Sequence, residues 1–234
     1  MYTLHIGNKN YSSWSLRPWA LMSELAIPFR EQLHVFGAKF DAKAAGSPSG
    51  KVPALVDDGT VVWDSLAIAE YLAERHPGVW PADAKARAWA RSASAEMHSG
   101  FPNLRNSCSM NCGIRAKLRN PPADLQRELD RLVELWHDGL TRFGGPFLAG
   151  RQFTAVDAFY CPVAFRVQSY QLELGAEAMA YVKRLLALPS MKRWYEAGIA
   201  EPYRDEPHEA EIAAAGTIVQ DLRTEKVAAS ATRS

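Results

Sequence analysis

Two kinds of hydrophobic pattern follow each other in the first seventy-six residues. Apolar residues at every second position predict strands, and a spacing of three to four predicts helices. The predicted strands cover residues 2–6, 29–35, 54–56 and 61–63, and the predicted helices cover residues 16–26 and 65–75. The last two strands flank Asp58-Gly59 and predict an antiparallel hairpin. With an irregular or helical stretch at 37–50, the order is β-α-β and then β-β-α, which is typical of a thioredoxin-like domain.

Helical spacing continues without strand signals from about residue 82 to residue 203. One long helix is expected to carry a stripe that steps by four residues through Trp89, Ala93, Met97, Phe101 and Arg105. A second stripe covers residues 125–143, and a third helix is expected to begin at Thr154 and to bend near Pro162. Thr154 and Asp157 form a sequence like a capping box, for which we expect a structural role. The second half therefore reads as an all-helical bundle.

Prolines and a glycine at residues 76–81 separate the two patterns and predict an interdomain linker. The predicted fold class is an α+β thioredoxin-like N-terminal domain followed by an all-α helical bundle domain. The predicted units are residues 1–76, a linker at 77–84, the helical domain at 85–205 and a C-terminal tail at 206–234. Because the tail is rich in alanine and weakly patterned, we expect it to be partly extended or mobile.

Charge and cysteine content narrow the function classes. The 27 lysines and arginines nearly balance the 26 acidic residues, so we expect neither a nucleic-acid binder nor a membrane-surface protein. The chain has no apolar run near the ~20 residues that span a bilayer and no secretory leader pattern, which predicts a cytoplasmic protein. Three cysteines are too few for a disulfide scaffold. Cys108 and Cys112 lack the further ligands that zinc requires, so we expect no metal site.

Three segments of the first domain carry the candidate chemistry. They are Tyr-Ser-Ser-Trp-Ser-Leu-Arg-Pro at 11–18, Ser-Pro-Ser-Gly-Lys-Val-Pro-Ala-Leu at 47–55, and Asp-Ser at 64–65. In order and spacing they resemble the glutathione transferase family, especially its serine-type members such as the zeta class and many bacterial relatives. The resemblance covers about residues 1–205. It implies a thioredoxin-like glutathione-binding domain followed by a helical substrate domain.

The resemblance assigns five residues to glutathione. It implies a cis peptide before Pro53 and main-chain hydrogen bonds between Val52 and the extended tripeptide. It implies that Ser65 holds the γ-glutamyl carboxylate and that Asp64 contacts the neighbouring ammonium, while either residue also serves as a helix cap. Some family members place a lysine toward the glycine carboxylate, and Lys39 is the candidate here. A solvated surface lysine is an equal alternative for Lys39.

The serines at the start of the first predicted helix are the candidate catalytic groups. A thiol of ordinary pKa is only ~3% ionised at pH 7, and lowering its pKa by about two units gives ~75% thiolate. A hydroxyl that donates to the sulfur, together with the positive end of a helix, supplies such a shift. By resemblance to the zeta pattern, Ser12 takes the activating place, with Ser13 second. Tyr11 is a minor rival.

Trp14 stands where the zeta class has a cysteine, which argues against zeta-type isomerase activity. We expect the indole to line a pocket for a small hydrophobic electrophile. Its expected neighbours from the helical domain are Met97, Phe101, Arg105 and Met110. Aromatic and apolar residues at helical spacing are also ordinary core residues. We expect His98 to be exposed or satisfied in the core rather than catalytic.

The sequence thus predicts a glutathione transferase that joins the glutathione thiolate to a soft electrophile, without a metal. Glutathione is the expected co-substrate, and family members form homodimers, so a homodimer is expected. Two alternatives remain open. One is a glutathione-dependent cis-trans isomerase, and the other is a non-enzymatic binding or regulatory protein with this fold.

Overall fold

The computed structural model of the protein describes residues 1–37, 43 and 46–224. The strands within these residues are β1 (Tyr2–Gly7), β2 (Phe29–His34), β3 (Ala54–Asp57), β4 (Thr60–Trp63), β5 (Ile114–Leu118) and β6 (Gly216–Asp221). The helices are α1 (Ser13–Glu24), α2 (Ser65–Ala73), α3 (Ala84–Ser99), α4 (Pro102–Ser107), α5 (Ala123–Phe143), α6 (Ala155–Tyr170), α7 (Ala176–Ala187), α8 (Pro189–Ala200) and α9 (Glu206–Ala215). Lys39, a predicted glutathione contact, lies outside the described residues.

The first four strands form one mixed sheet in the order β2-β1-β3-β4. Strands β1 and β2 are parallel and are connected through helix α1, while β3 is antiparallel to both β1 and β4. Asp58 and Gly59 join β3 to β4, and both have a positive φ, of 44° and 80°. Two such residues in succession match the twist of a tight hairpin. The predicted hairpin and the predicted thioredoxin-like order are confirmed.

Helix α6 is the central helix of the second half. Its side chains are buried on nearly every face, and it packs against helices α1, α3 and α7. The predicted capping box is confirmed at Thr154 and Asp157. The buried Asp157 carboxylate also accepts hydrogen bonds from the Leu148 amide at 3.0 Å and from the Tyr181 hydroxyl at 2.8 Å. Asp157 therefore joins the start of α6 to a preceding loop and to helix α7.

The single long helix predicted through residues 89–105 is wrong, because the structure divides it. Helix α3 ends at Ser99 and helix α4 begins at Pro102. Proline has no amide hydrogen to donate and disfavours a helical conformation in the residue before it. Phe101 accordingly has a φ of 58°, in the left-handed region.

The expectation that the second half lacks strands is also wrong. Strand β5 lies between α4 and α5, and it pairs antiparallel with β6 from the predicted tail. Helix α9 precedes β6, and its Ile212 is buried. The tail is thus extended over β6, as expected in part, but residues 206–215 are helical. Among the described helices, none has the length and apolar character required to cross a membrane.

Candidate functional site

The three candidate segments meet at one end of the strands of the four-stranded sheet. Ala54, the first residue of β3, pairs with His5 near the end of β1 and with Trp63 at the end of β4. Helix α1 begins just after β1, and helix α2 begins just after β4. The antiparallel pairing therefore brings residues 11–18, 52–53 and 64–65 to the same end of the sheet. Once the strand register is fixed, the three segments must lie close together, because each lies near the end of a paired strand.

Ser12 and Ser13 differ in how their hydroxyl groups are used. Ser12 is the N-cap residue of α1, but its hydroxyl makes no capping bond and donates instead to Ser15 Oγ at 2.7 Å. Ser15 Oγ in turn accepts from the Gly7 amide at 3.1 Å. Ser13, the first residue of α1, is 7% exposed, and its hydroxyl has no hydrogen-bond partner among the described residues. Ser13 therefore has a free donor at the helix N-terminus.

The Tyr11 hydroxyl is already bonded to the tail. It donates to Glu209 Oε1 of α9 at 2.7 Å, and Arg223 Nη1 lies 3.3 Å from it. Burial and the hydrogen bond to Glu209 raise the Tyr11 pKa above its ordinary value. Since its proton is held by a carboxylate, Tyr11 is a weaker candidate donor than Ser13. The tail contact was not anticipated from the sequence.

The described glutathione candidates lie next to the starts of β3 and α2. The Val52–Pro53 peptide is cis, as predicted, and Val52 is half-buried just before β3. Asp64 caps α2, because its Oδ1 accepts from the Leu66 amide at 2.8 Å. Asp64 has a φ of 79°, and non-glycine residues with such strained conformations cluster at ligand sites. Ser65 is buried at the first turn of α2.

Arg17 is a member of this site that the sequence reasoning missed. It is 1% exposed, with its guanidinium 4.2 Å from the Trp14 ring centre and 4.8 Å from that of Phe159. Its Nη1 donates to Ser65 Oγ at 3.4 Å, and its Nε has no partner among the described residues. Burial, with a further contribution from Arg105, lowers the Arg17 pKa well below its ordinary value. A cation in the second turn of an apolar helix was the signal in the sequence.

Only part of the predicted electrophile site is brought together. Trp14 is half-exposed, and the Arg105 guanidinium lies 4.9 Å from its ring centre. Arg105 donates to the Gly100 carbonyl at 3.0 Å and to the Met97 carbonyl, so it also closes the end of α3. Met97, Phe101 and Met110, in contrast, belong to the buried hydrophobic core. The structure gives these three residues a packing role, and Phe101 also lines a surface cavity beside Glu96 and Arg131.

His98 lies between the two halves of the site. Its Nδ1 is 3.3 Å from Arg17 Nη1, and its Nε2 is 3.4 Å from Asp64 Oδ2. The ring is half-buried and meets Trp14 edge-on, with the ring centres 5.2 Å apart. His98 is therefore neither free in solvent nor enclosed in the core.

The structure gives the site no metal-binding group. Within the described ranges, no cluster of three or more histidine, cysteine or acidic side chains is placed to hold an ion. Cys108, Cys112 and Cys161 are buried free thiols. Burial raises the pKa of Cys108 to about 12, and such a thiol is inert at neutral pH.

Comparisons with known proteins match the N-terminal half most directly. Residues 11–75 match the family model for the glutathione S-transferase N-terminal domain. A protein of Caenorhabditis elegans named probable maleylacetoacetate isomerase is 48% identical over 138 residues, covering 55% of this chain and 61% of that protein. The match thus spans about three fifths of that relative's length. Glutathione S-transferase 3 of Zea mays is 27% identical over 165 residues, covering 67% of this chain and 69% of the maize protein.

Solved structures extend the similarity over most of the chain. A glutathione transferase homologue from Burkholderia with bound glutathione has a TM-score of 0.63 and 21% identity, covering 84% of this chain and 97% of the other. At this level of identity the comparison shows the fold, including the mostly helical second half.

Proposed function

We propose that the chain is a member of the glutathione transferase family and that it binds glutathione at the end of the sheet where α1, β3 and α2 begin. The proposal rests mainly on the convergence of Ser13, the Val52–Pro53 peptide and Ser65 at that end. A hydrogen-bond donor for the glutathione sulfur, a main-chain partner for an extended peptide and a binding site for a carboxylate are then in one place.

The carboxylate and the ammonium of the γ-glutamyl group, which are bonded to the same carbon, meet different partners in this proposal. The Ser65 hydroxyl and the free amides at the start of α2 donate hydrogen bonds to its carboxylate, as helix N-termini do to anions. The Arg17 guanidinium, 3.4 Å from Ser65 Oγ, adds a buried positive charge. The exposed Asp64 carboxylate takes the ammonium group. Val52 exchanges main-chain hydrogen bonds with the middle of the tripeptide.

Thiol activation falls to the start of α1. The free Ser13 hydroxyl donates to the sulfur, and the helix N-terminus favours the thiolate over the thiol. Ser12, whose proton goes to Ser15, holds the loop after β1 in place. The thiolate then forms a bond to an electrophilic carbon of the second substrate, whose electron pair moves to a leaving group or a conjugated acceptor. Trp14 offers an apolar face for that substrate.

Binding and turnover test the proposal together. Glutathione titrated by calorimetry should bind, and chlorodinitrobenzene should be conjugated. Ser65→Ala should weaken binding about tenfold or more, because a hydrogen bond to a charged group is lost. Ser92→Ala, at an exposed serine whose hydroxyl donates to the Ala88 carbonyl of its own helix, is the matched control. A failure of the wild-type protein to bind glutathione would refute the proposed function.

The isomerase alternative is supported by one observation, the 48% identity to a protein named probable maleylacetoacetate isomerase. A panel of cis-olefinic acids and peroxides assayed beside chlorodinitrobenzene separates the activities. Isomerisation that greatly exceeds conjugation would favour the isomerase. Micromolar glutathione binding with negligible turnover on the whole panel would favour a non-enzymatic binding protein.

A homodimer and a cytoplasmic location are part of the same proposal. Trp63 on the edge strand β4 is 45% exposed, which suits a face covered by a second copy. Light scattering at micromolar concentration should give about twice the chain mass of 25.9 kDa. A mass near that of one chain would contradict the dimer without affecting the glutathione proposal.

A further inference from the structure

His98 of α3 contacts two charged residues of the first domain through its two ring nitrogens. Arg17 Nη1 lies 3.3 Å from Nδ1, and Asp64 Oδ2 lies 3.4 Å from Nε2. Arg17 also reaches Ser65. The imidazole therefore joins the helical domain to three residues of the proposed γ-glutamyl site.

The contact with Arg17 fixes the state of the ring. A guanidinium has donors only, so Nδ1 must accept, and a histidine that accepts at Nδ1 is neutral with its hydrogen on Nε2. That hydrogen lies on the side of the Asp64 carboxylate. A protonated ring has no acceptor for Arg17, and it places two positive groups 3.3 Å apart.

The surroundings also favour the neutral ring. The side chains around it are those of Trp14 and Arg17 from α1, Asp64 before α2, Arg105 from α4 and Phe159 from α6. Burial lowers the His98 pKa below its ordinary value, and the two arginines add to this effect, while Asp64 opposes it. The carboxylate therefore does not offset burial and the two cations.

We propose that His98 is a positioning residue for glutathione, and that its protonation weakens glutathione binding. The inference rests on the proposed function. Neutral His98 keeps Arg17 beside Ser65 and leaves the Asp64 carboxylate able to take the substrate ammonium. Protonated His98 repels Arg17 and pairs with Asp64 in place of that ammonium. Because the binding-competent form is the neutral one, affinity is lost as the pH falls through the His98 pKa.

The test compares glutathione dissociation constants at two pH values. Between about pH 7.5 and 5.5, the wild-type constant should rise roughly two- to fivefold, less than the about tenfold that a histidine of ordinary pKa would give. His98→Gln keeps one acceptor and one donor but does not titrate, so its constant should change much less. His98→Phe preserves an aromatic ring against Trp14 without polar atoms, and it should bind weakly at both values. His137→Gln, an exposed histidine paired with Glu177, should keep the wild-type pH dependence.

The outcomes separate this inference from the proposed function. If His98→Gln shows the same pH dependence as wild type, the inference is refuted while glutathione binding stands. If wild type does not bind glutathione, the proposed function fails first. NMR of the His98 ring nitrogens in the wild-type protein shows which nitrogen carries the hydrogen. This measurement needs no variant, so it does not depend on whether His98→Phe folds. A ring carrying its hydrogen on Nδ1 at neutral pH would refute the inference.

Discussion

Ser12 and Ser13 are neighbours in the chain, yet among the described residues only the Ser12 hydroxyl has a hydrogen-bond acceptor. The Ser12 hydroxyl donates to Ser15, which is fully buried, and this bond connects the start of α1 to the last residue of β1. Ser13 has no such partner among the described residues. At the scale of single residues, the proposed thiol activation therefore depends on which of two identical side chains is already bonded.

This difference predicts the effect of removing each hydroxyl. In Ser13→Ala the pKa of the bound glutathione thiol should rise by one to two units, roughly 1.4–2.7 kcal/mol, because the donor to the thiolate is lost. Ser12→Ala should shift it less. The ultraviolet absorbance of the thiolate, titrated against pH with glutathione bound, measures both. A larger shift in Ser12→Ala would return the activating role to Ser12, and no shift in either would exclude serine activation.

At the scale of elements, the second domain is organised by the ends of its helices. The break between α3 and α4 places the Arg105 donors on the last carbonyls of α3. The start of α6 is held by Asp157, whose two oxygens accept from two amides and from the Tyr181 hydroxyl. Because Asp157 is fully buried, no water can replace its carboxylate as the hydrogen-bond acceptor of these groups.

Asp157→Ala is expected to lower the free energy of unfolding by about 3–5 kcal/mol, because the buried donors of Leu148, Thr154 and Tyr181 lose their acceptor. Asp157→Asn keeps the shape and should cost less. Burial raises the Asp157 pKa to about 6, above its ordinary 3.8. The folded protein thus binds the Asp157 proton more tightly than the unfolded chain does. Protonated Asp157 therefore contributes stability at low pH, and this contribution is lost as the pH rises through about 6. Urea denaturation should show this pH dependence reduced in the asparagine variant.

For the whole molecule, the C-terminal segment connects the domains beside the proposed site. Arg223, whose side chain is 3% exposed, pairs with Glu209 of α9 at 2.5 Å and with Asp221 of β6 at 2.6 Å. Its Nη1 also lies 3.3 Å from the Tyr11 hydroxyl. A residue near the end of the described chain thereby reaches the loop that precedes Ser12 and Ser13, the proposed catalytic serines.

Arg223→Met is therefore expected to destabilise the protein by about 1–3 kcal/mol, below the full cost of a broken buried pair because Asp221 is partly exposed. It should also increase proteolysis of the tail. Arg127→Met is the matched control, since Arg127 forms a surface pair with Asp124 and should lose at most about 0.5 kcal/mol. Equal losses in the two variants, measured by urea denaturation, would show that the tail contact adds no stability.

The sequence by itself determined the features that depend on neighbouring residues. Strand periodicity, the Asp58-Gly59 turn and the Thr154 capping box depend on side chains within a few positions of one another, and each was confirmed. The linear motif around Pro53 likewise indicated the family. The β5 strand carried a local signal too, since Ile114, Ala116 and Leu118 alternate with polar residues, but its partner β6 begins almost one hundred positions later.

Only the tertiary structure decided which polar groups meet. Arg17, Asp64 and His98 come from three separate elements, and nothing in their local sequences states that the histidine lies between the other two. The same holds for the Tyr11 contact with Glu209, and for the burial of Met97 and Phe101. Hydrogen bonds and burial depend on distances in space, and these are set only when both domains and the C-terminal segment pack together. The spacing of motifs along the chain therefore indicated where the candidate site lies, and tertiary packing decided which of its polar groups are already hydrogen-bonded.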